Sequence, residues 1–139
     1  MIDAAEVFLN TDLLLYAAMG REDATREYDI ARNIILEENY ATSTDVLGEF
    51  FELATSVGTT PLSSSAANNW VKALTLKPCQ QADTSVLREA AQLSSDAQLP
   101  IRFARKLVSA ERLGCRKLYA QNFPDGLTHK GVSVVNPFV

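Results

Sequence analysis

The stretch Val7-Phe8-Leu9-Asn10-Thr11-Asp12-Leu13-Leu14-Leu15-Tyr16 decides the fold. Val7 to Leu9 form a short apolar run led by two residues that favour extended backbone, which suits a buried parallel strand. Asn10-Thr11-Asp12 turns the chain, and Leu13 to Ala18 reads as a helix of good formers. A polar triplet at the carboxyl end of a central strand lies where open α/β sheets place their ligands.

The rest of the chain repeats this alternation. Glu22 to Glu37 has helical apolar spacing at Ala24, Tyr28, Ala31, Ile34 and Ile35, with Asp23 as its expected N-cap. Asn39 to Thr42 is a second strand. Ser43-Thr44 caps a helix from about Asp45 to Val57 that ends at Gly58. Ala66 to Leu74 continues as a helix holding Trp70, an apolar-stripe residue expected in the core. Leu76 to Cys79 is a weak strand because Pro78 removes a ladder donor. Asp83 or Thr84 begins the next helix. Pro100 opens another over Ile101 to Leu113, closed by Gly114. Arg116 to Ala120 and Gly131 to Phe138 are the last strands. Alternating strands and helices predict an α/β fold with a mainly parallel sheet of roughly five strands between two helical layers.

With 139 residues the chain is long enough for one domain spanning 1–139 with a real core. Thirteen Lys and Arg against 17 Asp and Glu give a net charge of -4, so RNA contact would need a local basic patch. Arg102, Arg105 and Lys106 are the candidate patch, with Arg112, Arg116 and Lys117 as its continuation; a solvated helix face is the bland alternative. Apolar runs fall far short of the ~20 residues that cross a bilayer, and no signal pattern is present, so no membrane contact and a cytoplasmic location are expected. Cys79 and Cys115 lack ligand spacing and read as buried free thiols. His129 has no partner for a nucleophilic triad and reads as a surface residue.

These pieces together resemble the PIN domain family, and among its members the VapC-type toxin ribonucleases. The opening strand resembles the family's Asp-Thr-Asn strand end followed by an apolar helix ending in Tyr-Ala. Ser43-Thr44-Asp45-Val46-Leu47-Gly48-Glu49-Phe50 is similar to the second motif, Leu113 to Tyr119 to the approach to the last motif, and Asn136-Pro137-Phe138 to the terminal Asn-Pro-Phe. The resemblance implies a PIN-like three-layer α/β/α sandwich. It also implies about four carboxylates holding Mg²⁺ or Mn²⁺, which activate water for RNA cleavage.

Carried over residue by residue, those carboxylate positions fall on Asn10, Glu49, Phe103 and Asn122, with Gln121 beside the last and Thr11 at the family's hydroxyl position. Glu49 alone is an acid. At about 4 Å each lost unit charge removes roughly 4 kcal/mol of attraction for a cation at an effective dielectric of about 20. The expectation is therefore a degenerate site with no cofactor, in a protein whose nuclease activity is lost or impaired. It would act as a binding module for RNA, for an antitoxin-like protein in the groove, or for a second copy in a homodimer. The alternative is an active Mg²⁺- or Mn²⁺-dependent endoribonuclease with a rearranged site built on Glu49 and Asp12, completed by Asp45 or Asp125. The bland readings are that Asp12 caps its own helix, Asp45 faces solvent and Asp125 sits in a turn. Asn at both 10 and 122 is what a designed inactivation would leave, whereas Phe103 and Gln121 point to natural drift. A lone buried Glu49 is costly, so Lys106 or Arg102 is expected to fill the vacated place and pair with it.

Overall fold

The computed structural model of the protein describes residues 5–124 and 126–139; Asp125 lies outside them. The central strand β1 (Val7–Leu9) is buried at all of its positions, as its unbroken apolar run requires. It is followed by α1 (Thr11–Met19) and α2 (Thr25–Glu37), and then by β2 (Tyr40–Ser43). Next come α3 (Thr44–Ala54), α4 (Ser64–Leu74) and the very short β3 (Cys79–Gln80), then α5 (Thr84–Ala97) and α6 (Ile101–Arg112). β4 (Lys117–Tyr119), β5 (Thr128–His129) and β6 (Val132–Val135) complete the sheet, whose order is β3-β2-β1-β4-β6-β5. β5 alone runs antiparallel, against β6.

The sheet has six strands rather than roughly five, because Thr128-His129 folds back on Val132-Ser133 as a hairpin closed at Lys130-Gly131. Both turn residues have positive φ, 44° and 87°, which the glycine accepts at no steric cost. α2 starts at Thr25, not beside Asp23; its N-cap is Ala24, without a side-chain bond. α3 stops at Ala54 instead of reaching Val57, as the Thr55 and Ser56 hydroxyls donate back to the carbonyls of Phe51 and Glu52. The cap expected at Ser43 forms, accepting the N–H of Val46, and of the two expected starts for α5 the helix begins at Thr84 with Asp83 as its cap, accepting the N–H of Val86. Cys115 is buried and Cys79 partly so; both are free thiols.

Connection handedness places the helices. The crossovers β1→β2→β3 move one way along the sheet, and β3→β4 jumps back past β2 and β1. Right-handed crossovers in opposite directions put their helices on opposite faces, so α1–α4 cover one face and α5–α6 the other. The strand order reverses between β1 and β4. The core joins Phe8, Leu9, Leu14, Phe50, Leu107 and Leu118, each at most 1% exposed. Trp70 is half-buried on α4 and packs tilted on Phe50, with ring centroids 6.3 Å apart. Among the described residues no helix is long and apolar enough to cross a membrane.

Two buried protons make alkaline stability a readout of this packing. Burial pushes the Cys115 thiol up to about 11 from 9.0. Burial, together with the Glu38 carboxylate that its hydroxyl meets at 3.0 Å, pushes Tyr119 up to about 12 from 10.0. The folded chain therefore holds these protons where the unfolded chain has released them. The associated stability is complete below pH 9 and declines as pH rises towards 12. Urea midpoints should fall across that window, and Tyr119→Phe with Cys115→Ala should flatten the decline.

Candidate functional site

The reversal between β1 and β4 creates a crevice at the carboxyl ends of the strands. Asn10 leaves β1 there, and its backbone N–H donates to the Tyr119 carbonyl at 3.0 Å, prolonging the β1–β4 ladder. Asp12 follows in the first turn of α1 and is only 8% exposed. Its Oδ2 accepts the backbone N–H groups of Gln121 and Asn122 at 2.9 and 2.8 Å and the Asn10 side-chain amide at 3.2 Å. The expected role of Asp12 as cap of its own helix is thus corrected. The carboxylate instead anchors the loop after β4, whose two successive N–H groups converge on one oxygen as in an anion-binding nest. Among the described residues Thr11 Oγ1, Asn10 Oδ1 and Asp12 Oδ1 are buried oxygens without a hydrogen-bond partner.

Glu49 lies on the second turn of α3, and Lys106 on α6 reaches it, with Nζ 3.1 Å from Oε1. The Lys106 side chain is 5% exposed and that of Glu49 39%. Of the two cations expected near Glu49, Lys106 makes the pair; Arg102 lies instead over the Phe103 ring, 4.5 Å from its centroid. A second bridge runs beside the first: Arg105 Nε stands 3.2 Å from Asp45 Oδ2. Asp45 therefore does not simply face solvent. The signal for both pairs was present in spacing, since Asp45 and Glu49 are one turn apart on one helix and Arg105-Lys106 are adjacent on the other. α3 and α6 lie on opposite faces, so the two bridges reach across the carboxyl end of β2.

Phe103 packs its ring on Phe123 of the β4 loop, centroids 4.6 Å apart. Gln121 accepts the Tyr16 hydroxyl, and Asn122 is exposed apart from its tie to Asp12. The Phe103–Phe123 and Tyr16–Gln121 contacts have no signature in the sequence, because each joins α-helical residues to one irregular loop.

The basic path expected from Arg102, Arg105 and Lys106 is not a free one. Lys106 is buried against Glu49 and Arg105 is engaged by Asp45, which leaves Arg102 as the exposed cation. Beside the crevice a cleft of about 570 Å³ opens between α1 and the segment after α3. Leu15, Met19, Val57 and Leu62 line it, with Asp12 and Asn122 at one end.

The donor set does not fit a hard divalent ion. Mg²⁺ needs about six oxygens and concentrated negative charge. Here Glu49 Oε1 faces an ammonium, Asp12 Oδ2 is spent on amides, and the aligned positions Asn10, Phe103 and Asn122 carry no charge. Among the described residues no three His, Cys, Asp or Glu side chains converge as metal ligands.

The sequence matches no protein-family model and no curated protein. The fold matches solved structures. VapC20 of Mycobacterium tuberculosis, a Sarcin-Ricin loop cleaving toxin, aligns over 84% of this chain and 90% of its own at 16% identity, with a TM-score of 0.67. A toxin–antitoxin complex from Klebsiella pneumoniae aligns over 95% of this chain and 98% of its own at 17% identity, TM-score 0.70. FitAcB from Neisseria gonorrhoeae aligns over 95% and 98% at 16% identity, TM-score 0.64. The chain has the α/β/α fold of a PIN domain of VapC type.

Replacing Asp12 by Asn keeps the shape and removes the charge that accepts three donors. The expected loss is about 1.5–3 kcal/mol, in line with hydrogen bonds to charged groups. Urea unfolding measures that loss, and amide exchange should accelerate selectively at Gln121 and Asn122.

Proposed function

We propose that this chain is a VapC-like PIN-fold binding module that has lost most of the family's metal-binding carboxylates and does not cleave RNA. One observation carries the reading: the acids near the strand ends are held in separate pairings, Asp12 on loop amides, Glu49 on Lys106 and Asp45 on Arg105. A two-carboxylate or four-carboxylate metal mechanism needs them to converge.

The partner this reading favours is an antitoxin-like protein seated in the cleft. Its apolar wall, from Leu15 and Met19 to Val57 and Leu62, suits a peptide better than a phosphate backbone. Similar folds from Klebsiella pneumoniae and Neisseria gonorrhoeae were solved as a toxin–antitoxin complex and as FitAcB. RNA is the weaker candidate, since two of the three helix cations are already paired. A second copy of the chain is the remaining candidate, and the oligomeric state of the isolated protein tests it.

The experiment has two arms. Purified protein incubated with a structured RNA hairpin and millimolar Mg²⁺ or Mn²⁺ should leave it intact. Metal-dependent cleavage that disappears in Glu49→Gln or Asp12→Asn would establish the rearranged nuclease site, with Asp45 or Asp125 as its completing acid. In the second arm the protein should co-purify with the product of the reading frame adjacent to its own. Val57→Glu, at a 41% exposed position in the cleft, should weaken that complex about tenfold or more.

A further inference from the structure

We infer that the Lys106 ammonium is a resident cation standing where the fold's relatives are expected to hold a divalent ion, so that Lys106 and a divalent ion are alternatives at one place. This rests on the reading that the native chain does not use a metal.

Three observations converge. Lys106 is 4% exposed, a burial that an ammonium tolerates only with a compensating charge. Its partner is Glu49, the acid that aligns with a family ligand position, at 3.1 Å. Lys106 lies one turn beyond Phe103, so the helix that would present an acid to the ion presents a cation instead.

Several buried oxygens at this end of the sheet are short of partners among the described residues. An ammonium offers three N–H bonds, and among the described residues Lys106 makes one, to Glu49. At the carboxyl end of β1, Asn10 Oδ1, Thr11 Oγ1 and Asp12 Oδ1 are buried with no hydrogen-bond partner among the described residues. Carboxylate and amide oxygens of this kind suit a hard cation better than an apolar ligand. Removing the Lys106 charge should leave two carboxylates, Glu49 and Asp12, with neutral oxygens between the strand ends. That is a weak divalent site, and Asn10→Asp would strengthen it.

The test is thermal unfolding with and without millimolar Mn²⁺. Wild type should be indifferent to the ion. Lys106→Met should lower Tm by only about a few degrees, because Glu49, 39% exposed, is screened by solvent once its counter-charge is gone. It should also gain a saturable rise in Tm with Mn²⁺. Adding Glu49→Gln should abolish that response and recover part of the lost stability. Adding Asn10→Asp instead should move the Mn²⁺ midpoint about tenfold lower.

A folded Lys106→Met protein that ignores Mn²⁺, alone and with Asn10→Asp, overturns the inference while leaving the binding-module reading intact. Mn²⁺ stabilisation of wild type, accompanied by RNA cleavage, overturns both. If Lys106→Met does not fold, Glu49→Gln decides: its Tm must fall, and must recover on adding Lys106→Gln. Additive losses in that pair overturn the inference.

Discussion

The Asp12 carboxylate is the constraint on which this end of the molecule depends. Where the sheet reverses direction, β1 and β4 diverge into separate connections, and backbone N–H groups of the β4 loop would face a buried crevice unpaired. Each such group costs about 1–3 kcal/mol if left unsatisfied. One charged oxygen accepts those of Gln121 and Asn122 together with the Asn10 amide. The arrangement fixes the loop that carries Phe123 onto Phe103 and Gln121 onto Tyr16. It also leaves Asp12 only its Oδ1 to offer any cation, since Oδ2 is turned to the loop.

The pairs across the carboxyl end of β2 act differently. Glu49–Lys106 and Asp45–Arg105 tie α3 on one face of the sheet to α6 on the other. Such a buried or half-buried pair adds little net stability, because desolvation offsets attraction. Its effect is on specificity, since losing one partner leaves the other charge stranded. Arg105 and Asp45 are both more solvated than Lys106, so the Glu49–Lys106 contact is the one whose loss would be felt most.

Much of this was legible in the sequence, for physical reasons. Val7-Phe8-Leu9 has no polar residue to place on a solvent face, so a central strand was the natural reading. The need to neutralise Glu49 pointed to Lys106 or Arg102, because a carboxylate facing a crevice demands a nearby cation; which of the two answers it is set by the placement of α6 relative to α3. The role of Asp12 was not legible. Its partners are backbone amides 109 and 110 positions away, and backbone groups leave no trace in residue identity. The β5–β6 hairpin was missed because Thr128-His129 is a strand by pairing alone, too short for a periodic signal. Asp23 failed as a cap because Ala24 and Thr25, not composition, set where the helix began.

The residues at the site are physically interdependent. An acidic cluster without its metal would carry several like charges in a crevice, and self-repulsion alone makes such a state costly. With amides at positions 10 and 122 and an aromatic ring at 103 that repulsion is absent, and Glu49 meets a single positive charge. The Lys106 ammonium supplies it on a flexible stem, while Phe103 packs on Phe123 of the β4 loop. Reintroducing one acid into this background would not rebuild a divalent site, because Lys106 would neutralise the new charge first. The cation on α6, the carboxylate on α3 and the neutral side chains of Asn10, Phe103 and Asn122 form one charge-balanced set, so altering any one of them changes what the others must neutralise.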